Sequence, residues 1–80
     1  MTVDTKEAIF QFFAEKKMTD GLTYDTELMD SGKVNSLFAL EIVLYLEKTF
    51  KIRLKGKDIN KNNFRTINAM AELVERVQKK

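Results

Sequence analysis

Apolar residues recur at helical spacing in three stretches of the chain and lose that rhythm between them. From Thr5 to Lys17, the residues Ala8, Ile9, Phe12, Phe13 and Lys16 stand three and four apart, with Asp4 placed to cap the first turn. That spacing predicts an amphipathic helix. From Ser36 to Phe50, a second stripe is formed by Ala39, Ile42, Val43, Leu46 and Phe50, while Leu37, Phe38, Leu40, Leu44 and Tyr45 fall outside it. A helix this apolar belongs at the centre of a bundle or keeps an apolar strip for a partner. The third stretch, Ile67 to about Lys79, repeats Ile67, Met70, Leu73, Val74 and Val77 behind a Thr66 cap and closes on Arg76, Lys79 and Lys80. Cations there suit the negative end of the helix dipole.

Between the first two helices, Met18 to Asn35 carries turn residues instead: Asp20-Gly21, Thr23, Asp25, Thr26, Asp30, Ser31 and Gly32. Loops this long are uncommon in small domains and tend to be functional or disordered. Leu22, Tyr24, Leu28 and Met29 offer it apolar anchors, so an ordered, packed loop is expected. After the second helix, Ile52, Arg53, Leu54, Lys55 and Gly56 alternate in an extended link, and Asp58 is placed to cap a short helix over Ile59 to Asn63. The expected fold is all-α: one domain over residues 1–80, a small four-helix bundle of three main helices plus one short helix, with a long first loop.

Composition narrows the chemistry. The 80 residues contain no cysteine and no histidine. Disulfides, thiolate metal sites and the Ser-His and Cys-His nucleophile pairs are therefore excluded, and an enzyme is not expected. Leu37 to Leu46 is broken by Glu41 and is far shorter than the roughly 20 apolar residues of a membrane span. The opening stretch lacks a basic start, a long apolar run and a small-residue cleavage site, so a cytoplasmic protein is expected.

Charge is unevenly placed. Residues 1–35 hold four lysines against seven Asp and Glu, residues 36–64 six basic against three acidic, and the remainder four against two, for a net charge of +2. The basic residues are scattered singly, so no nucleic-acid face is expected.

Ser36 stands where the Gly32 turn becomes the most apolar helix. Asn35 and Ser36 are both favoured N-cap residues, and a cap is what the spacing alone predicts. A helix start also offers unpaired N–H groups and a positive dipole end, which suit a phosphate.

The run Val34-Asn35-Ser36-Leu37, followed by Leu40, Glu41, Ile42, Val43, Leu46, Glu47 and Phe50, resembles the acyl and peptidyl carrier proteins, whose Asp-Ser-Leu motif opens the second helix. The similarity continues through Asp25-Thr26-Glu27-Leu28 with Gly32, through Phe50-Lys51-Ile52 and through Phe64-Arg65-Thr66-Ile67. This resemblance implies that a phosphopantetheinyl transferase, using coenzyme A and magnesium, attaches a covalent 4′-phosphopantetheine arm to Ser36. The arm would supply the thiol that the cysteine-free chain lacks. It further implies that Asn35, Leu37, Phe38, Glu41 and Leu44 meet partner enzymes.

Two departures matter. Asn35 stands where most such carriers have Asp, and the second helix with its flank is net basic where carriers of fatty acid synthesis are acidic. Bulk fatty acid synthesis is therefore not expected. The Asn-Ser-Leu-Phe-Ala-Leu run is similar to free-standing carriers of polyketide and hybrid peptide–polyketide pathways, which hold hydroxymalonyl, aminomalonyl or methoxymalonyl extender units. That similarity implies a monomer served by an adenylating loading enzyme, modifying oxidoreductases and a synthase acyltransferase. The residues leave one alternative open, a non-covalent helical adaptor that binds a partner helix through the apolar strip of the second helix.

Overall fold

The computed structural model describes residues 4–79 and contains four helices: α1 Thr5–Glu15, α2 Ser36–Phe50, α3 Lys61–Phe64 and α4 Ile67–Gln78. Three begin as the sequence predicts. The Asp4 carboxylate accepts the Lys6 amide at 3.0 Å, and the Thr66 hydroxyl accepts the Ala69 amide at 3.0 Å. The expected short helix is displaced. Asp58 ends a single 3₁₀ turn, Gly56–Asp58, where its carboxylate accepts the Lys55 amide, and Asn60 caps α3 by accepting the Asn63 amide at 2.9 Å. An extended residue with a short polar side chain is needed at the cap, and Asn60, at φ −145° and ψ 167°, is the one that supplies it.

The end of α1 also differs from expectation. Lys17 adopts the left-handed conformation at φ 59°, its amide donates to the Ala14 carbonyl, and the Met18 amide reaches back to Phe13 at 3.0 Å. These paired bonds stop the helix at Glu15. Lys16 therefore lies beyond the helix, its ammonium 5.6 Å from the centre of the Phe12 ring. The same arrangement closes α2, where Lys51 sits at φ 55° and the Ile52 amide donates to Glu47.

One core joins all the elements. Phe13, Ile9, Ile42, Leu46, Phe64, Ile67, Met70 and Val74 are each at most 1% exposed, and α1 packs on α4. Burying a side chain of this size contributes roughly 1.5–3 kcal/mol. Phe50, expected in the stripe, is half-buried at its edge. Tyr45 finds a role on the α1 side of α2, where its hydroxyl donates to the Ala8 carbonyl at 2.8 Å and its ring lies 4.6 Å from that of Phe12.

The long loop is packed, as its apolar residues predicted. Leu22, Leu28 and Val34 are buried, and Tyr24 and Met29 lie against the core. Backbone bonds stitch it to the start of α4: the Leu28 amide donates to the Arg65 carbonyl at 2.7 Å and the Asn68 amide to the Tyr24 carbonyl at 3.1 Å. Side chains repeat the connection. Arg65 donates to Glu27 at 3.2 Å, and the Asn68 amide group donates to Asp25. The radius of gyration, 11.6 Å, is that of a compact fold of this length, so the loop lies on the bundle and does not extend from it.

Candidate functional site

The loop and α2 meet at Asn35. Its backbone is extended, at φ −106° and ψ −178°, and its side-chain oxygen accepts the Phe38 amide at 2.8 Å. Asn35 is therefore the cap, and Ser36 is the first residue of the helix with its hydroxyl not spent on capping. Ser36 is exposed. The amides of Ser36 and Leu37 lack acceptors within the helix, as the first turn of any helix requires, and they stand at its positive end. Gly32, at φ 82°, supplies the turn that brings Val34 into the core and leaves the two residues after it outside.

Ser36 also borders an open cleft of about 390 Å³, lined by Met29, Ala39, Leu40, Ile59, Asn60, Lys61 and Phe64. Its floor is apolar and one rim is polar. At that rim Lys61 is paired with Asp30, which ties the loop to α3. The hydrogen bond from Lys61 and its charge hold the Asp30 carboxyl below its ordinary range, and the same contact raises Lys61 above its own.

The residues expected to meet partners separate into two groups. Leu37 and Leu44 are 72% and 65% exposed, and with Leu40 at 54% they form one stripe along α2. None of the three is covered by the loop. Phe38 faces the other way: its ring stacks on Phe12 and meets Phe13 edge-on, each at 5.8 Å between centres. The geometry explains this, since positions 38 and 45 share a helical face with the buried Ile42. Glu41 is exposed but engaged, its carboxylate 3.2 Å from the Lys16 ammonium.

The sequence places Leu40 outside the buried stripe but does not single it out as a partner contact, although its spacing from Leu37 and Leu44 puts it on their face. Sequence reasoning also missed Met29, Ile59, Asn60, Lys61 and Phe64 around the cleft. No local signal marks these, because the packing of loop and α3 brings them together. Among the described residues, no group of acidic side chains is arranged to hold a metal, and no helix is long and apolar enough to cross a membrane.

An uncommitted serine at the exposed start of α2, bordered by unpaired amides and an open, largely apolar cleft, fits a phosphodiester-linked arm. The comparisons agree in kind. A family model described as a phosphopantetheine attachment site matches residues 9–74, and the chain belongs to that family of carriers. D-alanyl carrier proteins from Streptococcus pyogenes serotype M5 (strain Manfredo), serotype M49 (strain NZ131) and serotype M1 are each 27% identical to it over 74 residues, covering 91% of this chain and 94% of each relative. No solved structure matches it. The chain is thus a carrier and not an enzyme, bears a covalent 4′-phosphopantetheine, and is modified by a phosphopantetheinyl transferase.

Proposed function

We propose that Ser36 is the attachment point, and that the chain is a discrete carrier holding an acyl or aminoacyl intermediate as a thioester on the arm. The observation that carries this reading is the division of labour at the helix start: Asn35 takes the cap and leaves the Ser36 hydroxyl exposed for modification. The bound group supplies a thiol, and the protein supplies its presentation. Leu37, Leu40 and Leu44 then offer partner enzymes an apolar stripe that begins beside the serine.

For the cargo, two small groups are supported by different observations. The names of the streptococcal relatives point to an aminoacyl group, D-alanyl in those proteins. The resemblance of the Asn-Ser-Leu-Phe-Ala-Leu run supports a malonyl-type extender unit in polyketide or hybrid peptide–polyketide synthesis, loaded by an adenylating enzyme, altered by oxidoreductases and delivered to a synthase acyltransferase in the cytoplasm, while the basic flank of α2 argues against bulk fatty acid synthesis.

Incubation with coenzyme A, magnesium and a promiscuous transferase should add the mass of one phosphopantetheine, and Ser36→Ala should abolish the addition. Modification of the Ser36→Ala protein would overturn the assignment. Intact mass after co-expression with neighbouring genes separates the two cargoes.

A further inference from the structure

The charge that distinguishes this chain is concentrated away from Ser36. Both acids of α2 are turned to internal tasks: Glu41 pairs with Lys16, and the Glu47 carboxylate accepts the Leu54 amide at 2.8 Å. That second bond draws residues 52–54 back alongside the end of α2, after the left-handed turn at Lys51. Between the two segments lies an open groove of about 720 Å³, lined by Leu44, Glu47, Lys48, Ile52, Arg53 and Leu54. Lys48, Lys51, Arg53 and Lys55 are exposed, and among the described residues none of them forms an ion pair. Lys48 and Arg53 thus line the groove beside the apolar Leu44, Ile52 and Leu54, and Lys51 and Lys55 flank it along the chain.

We propose that this groove docks a partner protein which presents carboxylates around an apolar side chain. An apolar contact at Leu44 and Ile52 supplies contact area, while the cations select the partner's sign of charge and speed its encounter. A protein fits better than a nucleic acid. The three aromatic rings of α2 that could stack on bases, Phe38, Tyr45 and Phe50, are packed against the core, the first two on Phe12 of α1. The inference stands whether or not Ser36 is the attachment point, since no residue lines both the groove and that serine's cleft.

The test is an NMR titration of the full-length chain with a short synthetic peptide carrying Glu and Asp on either side of a leucine. Parallel titrations use the same peptide with Lys replacing the acids, a single-stranded oligonucleotide, and vesicles containing phosphatidylserine. The acidic peptide should shift the amides of Leu44, Lys48, Ile52 and Arg53, with affinity falling about tenfold between low and high salt. Lys48→Glu combined with Arg53→Glu should lose binding of the acidic peptide and gain that of the basic one, a reversal that misfolding could not produce. Leu44→Asp, at an exposed position, should weaken the acidic peptide while keeping the wild-type melting profile. Shifts confined to the Ser36 cleft, no binding of the acidic peptide, or tighter binding of the oligonucleotide or the vesicles would overturn the proposal.

Discussion

Asn35 accepts the Phe38 amide at 2.8 Å, one residue ahead of Ser36, so the residue beside the proposed attachment point also holds the helix start together. Replacing it with alanine should cost about 1 kcal/mol of stability in urea denaturation. Asn35→Asp keeps an acceptor and places a negative charge at the positive end of α2, which should add about 0.3–1 kcal/mol. Equal stability of the alanine variant and wild type would show that the cap contributes nothing.

Leu44 and Leu46 are two residues apart on α2 and have opposite fates, 65% and 0% exposed. Leu46→Ala should cost about 2–5 kcal/mol by opening a cavity in the core. Leu44→Ala should stay within about 0.5 kcal/mol of wild type. Denaturation of the two variants side by side checks the register of the whole helix, because rotating α2 would exchange their effects.

Lys17 and Lys51 both occupy left-handed backbone, which glycine adopts without the crowding a Cβ brings. Lys51→Gly should raise stability by about 0.5–1 kcal/mol, the relief of strain exceeding the entropy glycine adds to the unfolded chain. Lys17→Gly should act in the same direction. A loss of stability in both variants would contradict the helix ends described here.

The Asp30–Lys61 pair predicts a pH dependence. Because the folded Asp30 carboxyl lies below its ordinary value of 3.8, its contribution is full above that value and disappears as pH falls through the lowered one. Lys61 is raised above 10.5, so its part is lost only as pH rises past the raised value. The stability difference between wild type and Asp30→Asn should therefore hold through neutral pH and vanish in strong acid. A difference that stays constant down to pH 2 would refute the pairing.

Much of this was legible in the chain itself. Helical spacing located α1, α2 and α4, and the caps Asp4 and Thr66 were evident because short polar side chains precede apolar periodicity. Helix ends were harder to read, since the end of α1 falls at a lysine where glycine is the usual signal. Phe38 was misplaced because an apolar residue beside the serine could face either way, and only the α1 rings decide it. Ser36 stood out by resemblance, whereas its cleft depends on residues far apart in sequence.

The bonds from the Leu28 amide to Arg65 and from the Asn68 amide to Tyr24 have a consequence for the order of events during synthesis. A ribosome makes Ser36 well before it makes Arg65 or Asn68, so the two backbone bonds that fasten the loop to the start of α4 cannot form while the chain is still growing. Native contacts of this range form late, after the entropy of closing the intervening loop has been overcome. A transferase that reads the folded helix start would therefore find its substrate only after translation of α4, and a truncated chain would escape modification.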